Sequence, residues 1–107
     1  MSSAKNEHPS FSNLINGDTP VLVDFYADWC APCKMMPPIL KKLKSMMGDS
    51  ITIIKINTER NTDVALRYQV RSIPTLILFH KGQVLWQQAG VVQAEPLKEI
   101  IETNLNQ

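Results

Sequence analysis

The chain reads as an α/β domain in which a mixed four-stranded central sheet carries helices on both faces. Three observations predict this. VLVDFYA (Val21 to Ala27) and ITIIKI (Ile51 to Ile56) are apolar runs of strand length, continuous rather than alternating, as in strands covered on both sides. The stretch between them has helical periodicity, so the two strands form a βαβ unit with a right-handed crossover. TLILF (Thr75 to Phe79) and Val84 to Gln88 are joined only by His80-Lys81-Gly82-Gln83, which makes that pair an antiparallel hairpin.

The elements follow in order. Residues 1–9 are polar and expected to be a mobile tail. Ser10 to Ile15 suits a short helix, with Ser10 as its cap and Gly17 as its stop. Asp18-Thr19-Pro20 turns the chain into the first strand. From about Ala31 to Met47, Met36, Leu40, Leu43 and Met47 recur at four-, three- and four-residue steps, giving one buried stripe with lysines opposite. Gly48-Asp49 ends that helix before Ile51 to Ile56. Asp63 to Tyr68 suits a second short helix. Pro96 fits the first turn of a last one, where its missing N–H costs nothing. Leu97, Ile100, Ile101 and Leu105 give that helix its apolar face.

At 107 residues the chain makes one domain with one core. Its net charge of +1 shows no basic excess of the kind a nucleic-acid binder carries. Lys41, Lys42 and Lys44 read as the solvated face of a helix. No apolar run approaches the ~20 residues of a membrane span. MSSAKNEHPS has no apolar core of the secretory type, so a cytoplasmic product is expected. Two cysteines in such a chain are not a disulfide framework, and Cys30 and Cys33 stand three apart.

Those cysteines fall where the first strand ends and the long helix begins, a favoured place for sites in open α/β sheets. Positive potential at a helix N-terminus favours a thiolate at Cys30 and makes it a nucleophile. Cys33 lies one turn further in, expected to be less exposed, and within reach to close a disulfide. Pro32 stiffens the link. Thiol–disulfide exchange follows: Cys30 attacks a substrate disulfide, and Cys33 resolves the mixed disulfide. Two other readings stand beside it, inert buried thiols and half of a zinc site completed by His8 and His80, although a structural zinc site wants four ligands. Asp24 interrupts an apolar central strand, where burial would raise its pKa and suit it to exchange a proton with Cys33. Lys55, in the neighbouring strand, is the natural counter-charge. Asp24 and Lys55 read equally well as a structural pair.

WCAPCK (Trp29 to Lys34) after VDF (Val23 to Phe25), with SIPT (Ser72 to Thr75) downstream, resembles the thioredoxin family. The resemblance runs from about Val21 to Leu105 through VLVDFYADWCAPCK, KIN, RYQVRSIPTLILF and KGQV with Gly90. It implies a thioredoxin-like fold and a protein-disulfide reductase that cycles between the Cys30/Cys33 dithiol and disulfide with no bound cofactor or metal. By that likeness Cys30 attacks, Cys33 resolves, and Asp24 is the buried acid with Lys55 as its partner. Pro74 matches a cis-proline against the disulfide, where the plain alternative is a trans proline starting a strand. Ile73 would offer its backbone to an extended substrate segment. Trp29 is the flat apolar cover, and Gly90 belongs to the same contact surface. Trp86 reads as packing. The resemblance further implies re-reduction by a thioredoxin reductase and clients such as peroxiredoxins, methionine sulfoxide reductases or ribonucleotide reductase; nothing in the sequence demands more than a monomer.

Three departures from the family pattern stand out. Ala31-Pro32 replaces the usual Gly-Pro, adding a methyl at the contact surface. Pro37 beside Pro38 takes helical donors from the carbonyls of Cys33 and Lys34, which predicts a kink just after the cysteines. The strand that usually opens the family's fold has no β-rich counterpart here and is expected to be missing or rudimentary.

Overall fold

A computed structural model describes residues 9–107. The tail and any rudimentary strand expected ahead of the first helix fall on residues 1–8, outside the described residues. Pro9, assigned to the tail, instead opens the first helix.

Among the described residues, ten elements follow one another. They are α1 (Pro9–Ile15), β1 (Val21–Tyr26), a 3-10 helix (Pro32–Met35), α2 (Met36–Met47), a second 3-10 turn (Gly48–Ser50), β2 (Thr52–Asn57), α3 (Thr62–Arg67), β3 (Thr75–His80), β4 (Gln83–Ala89) and α4 (Ala94–Leu105). The strands form one mixed sheet in the order β2-β1-β3-β4. β1 runs parallel to β2 and antiparallel to β3, and β3 is antiparallel to β4. The sequence-based architecture holds, with boundaries moved by a residue or two.

Alternation along β1 and β3 sorts the core into two layers. Leu22, Leu76 and Leu78 face α2 and α4, packing with Met36, Leu40, Leu43, Leu97 and Ile101. Val21, Val23, Phe25, Ile77 and Phe79 face the other way, against Phe11 and Ile15 of α1 and Val64 of α3. Phe11, Tyr68 and Phe79 meet edge to face there, with ring centroids 5.0 to 6.3 Å apart. Both faces of the central strands are therefore covered, which is why their sequences are continuously apolar. Trp86 is half-buried against the α2/α4 layer, a packing residue as expected.

Two local expectations change. Ser10 is the second residue of α1, because the helix starts at Pro9, whose missing N–H is harmless at a helix start. The long helix over Ala31 to Met47 divides in two. Pro37 and Pro38 occupy the first turn of α2, where neither lost donor breaks an internal α-helical bond. The Met36 N–H bonds the Cys33 carbonyl three residues back, closing the preceding turn as 3-10. Where a kink was expected, the helix changes from 3-10 to α geometry at Met36.

The β3–β4 hairpin turns on Lys81 and Gly82, both with positive φ (53° and 81°), which matches the twist of the flanking strands. At φ 81° Gly82 holds a backbone that favours glycine, and its N–H donates to the Ile15 carbonyl at 2.7 Å, closing the turn onto the end of α1.

Candidate active site

β1 ends at Tyr26, and four residues later Cys30 and Cys33 bracket Pro32, the first residue of the 3-10 helix. The two sulfurs form a disulfide, with S–S 2.17 Å and Cα–Cα 5.3 Å. The Cys33 backbone N–H donates to Cys30 Sγ at 3.2 Å. A backbone donor is thus aimed at the Cys30 sulfur from within the turn that joins the two cysteines. Both residues are buried, Cys30 at 2% exposure and Cys33 at 4%. The expectation that Cys33 is the less exposed is therefore corrected. What separates the two is the space each faces. Cys30 lines an open groove of about 430 Å³ together with Trp29, Ala31, Pro32, Arg71 and Ile73. Cys33 lines a smaller pocket of about 140 Å³ on the other side, with Tyr26, Lys34, Pro37 and Lys55.

Asp24 is wholly buried in β1, and neither carboxylate oxygen has a hydrogen-bond partner among the described residues. Burial pushes its pKa up from 3.8 to about 6, and the positive charge of Lys55 opposes that rise. Lys55 is the direct cross-strand neighbour of Asp24 in the β1–β2 register. It is exposed, however, and its ammonium sits 4.8 Å from the centroid of the Tyr26 ring rather than on the carboxylate. The expected ion pair is thus a through-space attraction without contact, because the long lysine stem reaches past the sheet edge to water. Asp24 shares its sheet face with Leu22 and so lies under α2, the helix that follows Cys33.

Across the groove, the Ile73–Pro74 peptide bond is cis. The Ile73 carbonyl oxygen lies 3.7 Å from Cys30 Sγ, and Ile73 packs against the small apolar cluster of Ala27, Cys30 and Cys33. The Gly90 N–H donates to the Pro74 carbonyl at 2.8 Å, with Gly90 at φ 100°. Gly90 therefore supports the Pro74 turn and does not line the groove itself. Trp29 is 68% exposed, and its indole N–H donates to Glu59 Oε2 at 2.6 Å. Ala31 is exposed in the turn between the cysteines and lines the groove.

Sequence reasoning did not find Glu59, Thr58, Val70, Arg71 or Ser72. Glu59 holds Trp29 from 30 residues away, and Thr58, Val70, Arg71 and Ser72 complete the groove wall. The only signal was adjacency: Glu59 follows KIN by two residues, and Arg71 and Ser72 precede Ile73. Of the proposed zinc ligands, His8 lies outside the described residues. His80 stands at the far end of β3 from Pro74, with Nε2 2.9 Å from the Asp18 carbonyl oxygen. Among the described residues, no helix is long and apolar enough to cross a membrane, and no three His, Cys, Asp or Glu side chains are grouped to hold a metal.

Fold and site together define a domain with a redox-active cysteine pair at a strand–helix junction, faced by the Ile73 carbonyl of a cis Ile73–Pro74 bond. The family profile for thioredoxin matches residues 2–103, and the chain belongs to the thioredoxin family. Members of that family are protein-disulfide reductases. The chain is 41% identical over 106 residues to the chloroplastic thioredoxin Y of rice (Oryza sativa subsp. japonica), covering 98% of this chain and 63% of the rice protein, less than two thirds of its length. It is 43% identical over 96 residues to a thioredoxin-like protein of Synechocystis sp., covering 89% of this chain and 91% of that one. A solved structure of a mutant thioredoxin from Halobacterium salinarum superposes with TM-score 0.82 at 33% identity, over 92% of this chain and 85% of the other.

Proposed function

We propose that this chain reduces disulfides in client proteins through the Cys30/Cys33 dithiol–disulfide cycle. The observation that carries the reading is the asymmetry of the pair: Cys30 lines the larger groove with Trp29 and Ile73 and accepts the Cys33 N–H, whereas Cys33 lines a smaller pocket with Lys34 and Lys55. In the reduced protein, the Cys30 thiolate attacks one sulfur of a client disulfide lying in the groove. The client's other sulfur leaves as thiolate and takes a proton. Cys33, deprotonated, then attacks Cys30 Sγ, expels the second client sulfur and restores the observed disulfide. Two electrons pass to the client and two protons go with them.

Asp24 is suited to take the Cys33 proton, since its carboxyl with a pKa of about 6 exchanges protons near neutral pH. Ile73 offers backbone groups to an extended client segment beside Cys30, Pro74 holds that strand start against the cysteines, and Trp29 covers the groove mouth. Ala31 and Pro32 shape the contact surface, Lys55 tempers Asp24, and Gly90 fixes the Pro74 turn. No flavin or nucleotide motif is present in the sequence, so electrons come from a partner, a thioredoxin reductase on the family pattern. Clients of the peroxiredoxin, methionine sulfoxide reductase and ribonucleotide reductase kinds suit the site. A monomer in a reducing compartment fits the reading. That compartment is the cytoplasm or, as the printed name of the rice relative allows, a chloroplast.

The test is to equilibrate the protein in dithiol and glutathione buffers, alkylate it, and count free thiols by mass. A midpoint well below the glutathione couple supports the reductase, and one above it makes the chain an oxidant or isomerase. Cys30→Ser is expected to abolish turnover on a disulfide substrate; full retention of activity would leave only a binding module.

A further inference from the structure

Tyr26 closes β1 just before the segment that carries the cysteines. We propose that its ring is a positioning device for the redox site: it holds the Lys55 ammonium on the Cys33 side, within electrostatic reach of Asp24, and so sets how readily Asp24 takes up a proton. The inference deepens the reading of Asp24 as the group that takes the Cys33 proton, and its consequence for turnover rests on that reading.

Register puts the three side chains on one face of the sheet. Asp24 and Tyr26 stand two residues apart in β1, and Lys55 is the cross-strand neighbour of Asp24. A lysine directly across from a carboxylate is placed to close on it. Here Nζ stands instead 4.8 Å from the centroid of the Tyr26 ring, one step further along β1 toward the cysteines. Tyr26 is itself held from two sides. Its carbonyl accepts the Thr58 N–H at 2.9 Å and the Thr58 hydroxyl at 3.3 Å, and the residue packs against Ala27, Cys30 and Cys33. Tyr26, Lys55 and Cys33 line one pocket. The ring is therefore a fixed shelf for an ammonium that would otherwise sample many rotamers on its four-carbon stem.

Position matters because charge acts on Asp24 without contact. Both carboxylate oxygens are buried and lack a hydrogen-bond partner among the described residues, so attraction to Lys55 is what opposes the effect of burial. An ammonium released from the ring spends its time in water, further off and better screened, and Asp24 then holds its proton more tightly. An ammonium seated on the carboxylate would keep Asp24 ionised and unable to carry the proton. The ring fixes the intermediate case. Other charged or titratable groups on this side are Asp28, Cys33 and Lys34, which share the small pocket, and Lys41 and Lys44 of α2, which line a second pocket with Lys55. β3 sets Leu76 beside Asp24, and α4 brings Leu97 and Ile101, none of which titrates.

The experiment titrates Asp24 through its carboxyl carbon-13 signal in the oxidised full chain, where no turnover is needed. Tyr26→Leu should raise the Asp24 midpoint by about half a unit, a gain of about threefold in proton affinity. Tyr26→Phe keeps the aromatic face and should leave the midpoint in place. Lys55→Met alone should raise it at least as far as Tyr26→Leu, and combining the two should raise it no further. In the unmutated chain the Lys55 methylene protons beside Nζ should show an upfield ring-current shift, a readout that stands even if Tyr26→Leu fails to fold. An unmoved or lowered midpoint in Tyr26→Leu, a rise that persists without Lys55, or no ring-current shift would overturn the proposal. If the midpoints move as expected but the pH profile of mixed-disulfide release does not follow them, the positioning role stands and the reading of Asp24 as proton acceptor falls.

Discussion

At the scale of single residues, Asp24 is the one most at odds with its surroundings. Its carboxylate is buried without a hydrogen bond, and Lys55 offsets the cost without touching it. The pKa of about 6 against 3.8 gives the sign of the effect. Below about pH 3.8 the carboxyl is protonated in folded and unfolded chains alike, and burial carries no ionisation penalty. Between 3.8 and about 6 the unfolded chain ionises first, so stability falls, and above that the penalty is complete. Asp24→Asn should therefore stabilise the fold by up to about 3 kcal/mol at pH 7, with the gain vanishing near pH 4. Denaturant unfolding at the two pH values checks it. If Asp24 serves Cys33, the same variant also slows release of the mixed disulfide at neutral pH. Asp24 could be read from the sequence as a lone charge in an apolar run. Glu59 could not, because its bond to Trp29 joins two residues of different loops and leaves no local pattern.

At the scale of elements, the proline pair shows how a chain-level rule meets geometry. Pro37 and Pro38 sit in the first turn of α2, and the Cys33 carbonyl takes the Met36 N–H in 3-10 geometry instead of an α-helical donor. Pro37→Ala restores an N–H that can compete for that carbonyl and draw the Cys33 turn toward α geometry. The expected result is a stability change within about 1 kcal/mol and a shifted dithiol–disulfide midpoint, since a helix start tolerates either residue. Unfolding curves and thiol counting in redox buffers together decide it; no change in either would remove the idea. The helix periods and the hairpin were legible because each repeats within one element. The division of the long helix was legible only as a kink, since where the donors re-pair depends on the turn built by Cys30 to Lys34.

At the scale of the whole molecule, stability rests on two apolar layers meeting across β1 and β3. Leu78 is fully buried at the centre of the α2/α4 layer, flanked on its sheet neighbours by Leu22 and Trp86. Leu78→Ala should cost about 2 to 5 kcal/mol, because the covering helices cannot collapse fully into the space. A cooperative unfolding transition moved to lower denaturant with an unchanged slope is the expected signature. An unchanged midpoint would mean that the layer repacks freely.

The linear order of residues by itself determined the strands and principal helices, the mixed topology, the cysteine pair and the lone acid within an apolar run. Each of these is carried by spacing within a short window or by a single residue out of keeping with its run. Tertiary structure alone decided which space each cysteine faces, that Lys55 leaves Asp24 for the Tyr26 ring, and that Glu59 and Arg71 join the site. These depend on where loops and strand edges distant in sequence come to lie. That is set by the packing of helices on the sheet, and no local period encodes it.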